Sequence, residues 1–550
     1  MVELAVEPKT RIWHSFSVIG LCLGTLLFAA SLTPSLLPRA YSVQGVLSGV
    51  SLALGYGLGA FLVWLWRYLE LPEPRRSPRY YGKWAMAALC VGVALFFLWK
   101  AADWQNSIRA LMELPPVDTA HPTKVGLIAL ILFLLLVGLG RGLRRVYFFV
   151  SARLKRFVPR RVAYVIGFVV VGLLVASLVD RILLRYALRV ADSAYAELDA
   201  LFEDGIEQPA DPLKTGGPGS LIDWESVGRT GRSFIVEGPR QKDIADFTGR
   251  PALEPMRVYV GLRSAETADE RATLALDELK RIDAFNRSVL VVVAPTGTGW
   301  VDPEGADTLE YLHNGDTVMV AQQYSYLTSW LSLLIEPNYG AEAAHALFSK
   351  VYGYWKTLPK DARPELYLYG LSLGALSSEQ SAELFDILGD PYQGALWAGP
   401  PFNSRMWRSI TADRNPGSSA WLPRYRDGSV VRFTAQKNAL DIPGASWGPL
   451  RIVYLQYASD PVVFFDPLAW YRRPAWLVGE RGPDVSAELR WYPLVTFLQL
   501  TLDMALATTA PLGYGHLYAP EHYIDAWMAV TAPKGWPPEE IERLKQKLAK

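Results

Sequence analysis

A chain of 550 residues with a formal net charge of +1 is too long for one ordinary hydrophobic core, so at least two structural units are expected. The near-neutral total hides two opposite parts: residues 1–190 hold 22 Lys and Arg against 8 Asp and Glu, leaving 33 against 46 for the rest. A basic, apolar front and an acidic back fit a membrane region followed by a soluble domain, and exclude a nucleic-acid binder, which needs a basic patch on its soluble part.

Five stretches are apolar over roughly the 20 residues that cross a bilayer of about 30 Å: Phe16 to Leu37, Val46 to Trp66, Trp84 to Leu98, Val125 to Leu139 and Val162 to Val179. The third and fourth are short, with Trp104 and Tyr147 beyond them as interfacial anchors. Cys22 and Cys90 lie inside such stretches among Leu, Gly and Ala, where a thiol packs as a small apolar group. The second-to-third connection carries Arg67, Arg75, Arg76, Arg79 and Lys83. The fourth-to-fifth connection carries eight basic residues between Arg141 and Arg161, and the other two connections are sparse. Basic loops stay on the cytoplasmic side. The N-terminus is therefore expected inside, and everything after the fifth span on the periplasmic side of a plasma or inner membrane. The cluster Arg181, Arg185 and Arg189 votes the other way but is outnumbered. Lys9 and Arg11 ahead of an apolar run ending near Ala29 and Ala30 also permit a cleaved signal peptide. That reading leaves the location of the back part unchanged.

After a helical stretch from Tyr186 to Phe202, the Gly/Pro-rich residues Pro209 to Ser220 read as a linker. The expected division is a transmembrane helical domain over 1–190, a connecting segment over 191–221 and a catalytic domain over 222–550. In the last, short apolar runs at Arg257 to Gly261, Val289 to Val293, Thr317 to Val320, Leu366 to Leu368 and Ile452 to Tyr457 are separated by helical stretches such as Glu266 to Phe285. Buried strands alternating with helices predict a mostly parallel sheet covered on both faces.

Leu366 to Tyr369 runs into Gly370-Leu371-Ser372-Leu373-Gly374, and a helix-forming stretch follows. Strand, Gly-x-Ser-x-Gly, helix is the nucleophile elbow of α/β-hydrolases, where a sharp turn exposes the serine and leaves no room for a Cβ at either glycine. The serine needs a base, which follows it in chain order in this fold. Of six histidines, His14, His121, His313 and His345 precede it. His516, in the loop-like Gly-Tyr-Gly-His, is preferred to His522, which opens the apparent last helix as a surface or capping residue. The orienting carboxylate is expected after a strand. Asp460 follows Ile452 to Tyr457 and is preferred to Asp466, although an Asp before Pro461 also reads as a plain turn residue. Two backbone donors are needed for the oxyanion. Leu373 supplies one by position, and the loop Pro295-Thr296-Gly297-Thr298-Gly299-Trp300 the other, placed at Thr298; a structural turn is the plain alternative.

Several segments together resemble a family of bacterial membrane α/β-hydrolases. They are Leu-Thr-Pro-Ser-Leu-Leu-Pro-Arg from Leu32, the Pro295 loop, Gln-Tyr-Ser-Tyr-Leu from Gln323, the Ser372 elbow, Gly-Pro-Pro-Phe from Gly399 and Leu-Gln-Tyr-Ala-Ser-Asp-Pro-Val from Leu455. The resemblance spans nearly the whole chain and implies Ser372, Asp460 and His516 as a triad; Leu371 departs from the polar residue often found there. No cofactor or metal is called for. Three aromatic, apolar stretches, Tyr324 to Ile335, Phe464 to Leu477 and Trp491 to Leu500, read either as core packing or as an acyl-binding wall facing the bilayer. The expected function is cleavage or transfer of carboxylic esters, with the lipid bilayer as partner and a lipid-linked or acylated envelope ester as substrate. The alternative is a non-catalytic receptor or assembly factor that keeps the hydrolase shape.

Overall fold

The structure is a computed structural model that describes residues 16–72, 77–177, 199–203, 205–327, 338–382 and 387–549. The chain packs as two compact units. One comprises residues up to Leu184 together with Asp466–Leu477 and Asp484–Leu506; the other comprises Arg185–Phe465, Val478–Pro483 and Ala507–Lys550.

The first unit is built on helices α1 (Val18–Ser31), α2 (Tyr41–Tyr68), α3 (Ser77–Leu111), α4 (Pro122–Leu154) and α5 (Arg160–Ser177). Four helices, all but α1, are long and apolar enough to cross a membrane. Of the first expected span, Phe16 to Leu37, the helical part is α1. The 14 residues of α1 reach only about 21 Å, and Pro34 and Pro38 prevent the helix from continuing. The stretches expected to be short belong instead to the two longest helices, because α3 runs on through the polar Lys100 and Asp103 and α4 through Arg141 to Arg153. Small residues bring α1 and α2 together: a Cβ on Gly55 would stand 2.5 Å from the Leu23 carbonyl, and one on Gly59 would stand 2.6 Å from Gly20 Cα. Leu95, Leu135 and Phe168 are exposed on the outer faces, as lipid contact requires. Cys22 and Cys90 are free thiols 3.9 Å apart.

The segment after Leu32 is irregular yet buried, so its polar groups need internal partners. They find them partly on the helix Val495–Ala505, far along the chain. Leu36 N–H donates to Asp503 Oδ2 (3.0 Å), Gln499 Nε2 to the Thr33 carbonyl (3.0 Å), and the Arg39 guanidinium lies 3.5 Å from the Asp503 carboxylate. Arg39 N–H donates to Gln105 Oε1 on α3 and its guanidinium to Gln44 Oε1 on α2. Ser107, near the end of α3, shares a hydrogen bond with Ser486. The two stretches that the sequence left open as core or acyl wall are thus mixed. Leu477 and Leu500 are buried, whereas Trp470 and Tyr471 are about half exposed. Of the third stretch, Tyr324 and Leu327 are buried and residues 328–337 lie outside the described residues. So do Arg75, Arg76, the Arg181, Arg185 and Arg189 cluster, and most of the Tyr186 to Phe202 helix.

The second unit holds a seven-stranded, all-parallel sheet in the order β1-β3-β2-β4-β5-β7-β6. The strands are β1 (Met256–Val260), β2 (Val289–Ala294), β3 (Thr317–Gln322), β4 (Glu365–Leu371), β5 (Gly394–Ala398), β6 (Val431–Thr434) and β7 (Arg451–Leu455). Runs such as Val-Leu-Val-Val-Val-Ala in β2 are buried throughout, as a strand covered on both faces must be. The sequence left out β5 and β6. Each is only four or five residues long, and Gly394, Ala395 and Arg432 dilute the β-branched signal. The helix expected from Glu266 to Phe285 forms over Ala268–Arg281, opened by a capping box between Thr267 and Glu270. The Gly/Pro-rich stretch before Ile222 is tied to that helix, since Glu278 accepts from Ser220 Oγ and Leu221 N–H and Arg281 donates to the Pro212 carbonyl.

Candidate active site

Parallel strands deliver their following loops to one edge of the sheet. Ala294 of β2 pairs with Gly370 of β4, Leu371 of β4 with Ala398 of β5, and Ala398 with Leu455 of β7. The loops after these strands carry Thr298, Ser372, Leu373, Gly399 and Asp460.

Ser372 has φ 57° and ψ −124°, a conformation that costs a non-glycine residue of order 1–3 kcal/mol. The neighbouring backbone holds it there: its N–H donates to the Ala398 carbonyl (2.9 Å) and its carbonyl accepts from Leu376 N–H (3.1 Å). Both flanking glycines are required by contact. A Cβ on Gly370 would lie 2.4 Å from the Gly374 carbonyl, and one on Gly374 would lie 2.1 Å from the Ala294 carbonyl. The helix Leu373–Glu379 starts directly after the serine. The Leu373 N–H sits in the first turn, where no intrahelical acceptor exists.

Asp460 ends the segment after β7 and is fully buried. Its Oδ1 caps the short helix Pro461–Phe464 by accepting from Val462 N–H (2.8 Å) and Val463 N–H (3.4 Å). The turn role therefore occupies one oxygen and leaves the other to side-chain donors. Oδ2 accepts from His516 Nδ1 (2.6 Å) and from the Tyr518 hydroxyl (2.6 Å). A histidine that donates from Nδ1 to a carboxylate keeps its lone pair on Nε2. His516 Nε2 is buried and has no hydrogen-bond partner among the described residues.

The loop bearing His516 is fixed at both sides. Gly515 N–H donates to Ser459 Oγ (2.9 Å) and His516 N–H to the Ala507 carbonyl (3.2 Å), while Gly513 and Gly515 take positive φ. The imidazole rests on Gly399, the residue after Ala398. A Cβ on Gly399 would stand 2.7 Å from His516 Cε1 and 2.9 Å from the Tyr518 ring. Ala398 holds the serine backbone and Gly399 carries the imidazole, so the structure brings Ser372, His516 and Asp460 to the ends of β4, β5 and β7.

The other candidates are accounted for differently. His522 is corrected from a surface residue to a buried one. Its Nδ1 meets the Tyr457 hydroxyl at 2.5 Å, burial pushes it down to about 4, and its helix Pro520–Thr531 is followed by another, Pro538–Leu548. His313 pairs with Thr531 and is likewise pushed down to about 4 by burial, and His345 bonds the Ser381 carbonyl. Asp466 accepts from Leu468 N–H in a local turn. In the loop after β2, Thr296 N–H and Gly299 N–H are used internally, on the carbonyls of Trp300 and Thr296. The Thr298 carbonyl accepts from Thr230 and Gln323, and the Tyr259 hydroxyl holds the Gly299 carbonyl, which rigidifies the loop around the Thr298 amide. Sequence reasoning missed Tyr518 and Gly399 as parts of the site. Gly399 stood in a recognised segment, but only the fold reveals what its missing side chain makes room for.

No curated protein and no solved structure matches the chain. The family model described as the alpha/beta-hydrolase family N-terminus matches residues 32–239, and that of the alpha/beta-hydrolase family itself matches residues 256–544. With more than half of its length matched by that second model alone, over the parallel sheet and the strained Gly-x-Ser-x-Gly turn described above, the chain belongs to the alpha/beta-hydrolase family.

Proposed function

We propose that the chain is a membrane-bound serine hydrolase that cleaves or transfers carboxylic esters through an acyl-enzyme on Ser372. The observation that carries this reading is the His516 imidazole, bonded through Nδ1 to the buried Asp460 with Nε2 unpartnered among the described residues, at the same sheet edge as a serine held in a strained turn. Ser372 Oγ attacks the ester carbonyl carbon as its proton passes to His516 Nε2, and Asp460 stabilises the imidazolium that results. The oxyanion is met by the N–H groups of Leu373 and Thr298. Collapse breaks the bond to the alkoxide, which leaves with the proton from His516. Water or another alcohol then gives its proton to His516, attacks the acyl carbon and restores Ser372.

The substrate class proposed is a lipid-linked or acylated envelope ester, because an enzyme held in the bilayer meets such esters at high local concentration. The hydrolase unit is assigned to the extracytoplasmic side. Support comes from the basic connections α2–α3 and α4–α5, since basic loops stay on the cytoplasmic side. A fluorophosphonate probe on the full chain in detergent tests the enzymatic reading. Labelling at Ser372, lost in Ser372→Ala, is expected. A folded protein that does not react, or labelling that survives the substitution, points instead to a non-catalytic receptor. A C-terminal reporter active only in the cytoplasm refutes the orientation.

A further inference from the structure

We infer that Tyr518 is a positioning residue of the proposed serine-hydrolase site: its hydroxyl holds the second lone pair of Asp460 Oδ2 and so fixes the carboxylate against His516. The inference rests on the reading of Ser372, His516 and Asp460 given above and adds a fourth member to it.

Asp460 takes hydrogen bonds from four donors among the described residues: two backbone N–H groups on Oδ1, and His516 and Tyr518 sharing Oδ2 at 2.6 Å each. The backbone donors hold Oδ1, and what binds Oδ2 fixes where the second oxygen points. Tyr518 supplies a second contact there from a closely packed ring. It stacks on Tyr457 at 4.4 Å, touches the His516 ring edge-on at 5.9 Å, and is fully buried. Burial, and then the Asp460 charge, push the phenol well above its ordinary value, so it keeps its proton and donates. Donation also draws off part of the carboxylate's charge, which weakens its hold on a protonated imidazole.

The remaining titratable groups around the pair are engaged elsewhere. The Tyr457 hydroxyl meets His522 and Ala519 N–H, the Tyr523 hydroxyl donates to Asp302, and Asp525 with Lys545 lies beyond His522. A buried tyrosine hydroxyl must bond something, so simple satisfaction of Tyr518 is the competing explanation. The two differ in what they predict for His516. If Tyr518 only fills space, loss of its hydroxyl lowers stability alone; if it positions Asp460, the titration of His516 moves.

The experiment is the rate of fluorophosphonate labelling of the full-length protein in detergent, followed against pH. In wild type the rate rises through a midpoint that reports His516. Tyr518→Phe is expected to lower the plateau rate roughly threefold to tenfold, the loss of a bond to a charged group, and to move the midpoint up by roughly half a unit to one unit. Replacing Tyr518 with 3-fluorotyrosine, a stronger donor of nearly the same size, is expected to move the midpoint down, and it tests the inference even if the Phe variant fails to fold. Tyr457→Phe, equally buried in the same stack, is expected to lower the melting temperature and leave the midpoint in place. Midpoints that stay fixed at Tyr518, or that follow Tyr457→Phe equally, overturn the inference. Wild-type protein that never labels at Ser372 overturns the parent reading, and this one with it.

Discussion

Asp460 in the hydrolase unit and Asp503 in the membrane-helix unit are both completely buried carboxylates, and they are satisfied in different ways. Among the described residues Asp460 meets no Lys or Arg; the His516 imidazole, a tyrosine and two backbone amides satisfy it. Asp503 faces the Arg39 guanidinium and the Leu36 amide, on a segment that two prolines keep from being helical. A carboxylate whose negative charge must be available to a transient imidazolium cannot spend that charge on a permanent cation. One whose role is cohesion can, at the cost of desolvating both ions. The difference in donors is the one the proposed triad requires of Asp460.

The largest effect that can break this comparison is expected at Asp460→Asn. The amide still accepts at the helix cap, but it cannot hold the tautomer or stabilise the imidazolium, and labelling of Ser372 should fall about 10³–10⁴-fold with little change in melting temperature. A variant that still labels within tenfold of wild type would mean that Asp460 serves only as a cap. Arg39→Met should do the reverse. It leaves Asp503 as an uncompensated buried charge, worth about 3–5 kcal/mol of stability, and adding Asp503→Leu should restore most of the loss. Melting curves in detergent decide it: a double variant no better than the single one shows that the pair is not coupled. Gly399→Ala comes next. Its methyl would have to occupy space 2.7 Å from His516 Cε1, so the imidazole must shift, and a displacement of that kind is worth about 100-fold in labelling rate.

Much of this was legible before any coordinates. The strained turn at Ser372 was readable because such a turn can be built from few residue types: Gly370 and Gly374 each face backbone where a Cβ would collide. Chain order and loop placement singled out His516 and Asp460, and the two side chains meet at 2.6 Å. The extent of the helices was not, because apolar length marks the part that faces lipid and not where the backbone stops hydrogen bonding: α3 and α4 continue through polar residues, and α1 halts before Pro34. Residues whose partners are distant in sequence were equally hidden. Nothing local to Trp491–Leu500 says that Gln499 will bond the Thr33 carbonyl, nor does Gly-Pro-Pro-Phe say that its glycine carries an imidazole.

A third buried carboxylate sharpens the comparison with the smallest effect. Glu379 closes the helix that begins after Ser372, and among the described residues it meets neither a cation nor a histidine; the Tyr454 hydroxyl donates to it at 2.9 Å. Burial pushes its carboxyl up to about 8, so it is protonated at neutral pH. The sign of the linkage follows. The folded state keeps this proton at pH values where the unfolded chain has released it, so stability is greatest below the ordinary value near 4.5, declines as pH rises toward 8, and levels off above. Glu379→Gln retains an acceptor for Tyr454 and removes the proton from the balance. Its melting temperature should match that of wild type at pH 5 and exceed it by a few degrees at pH 9. Equal declines in the two proteins would show that Glu379 carries its charge inside the fold and belongs with Asp503, as an anion with a partner of its own.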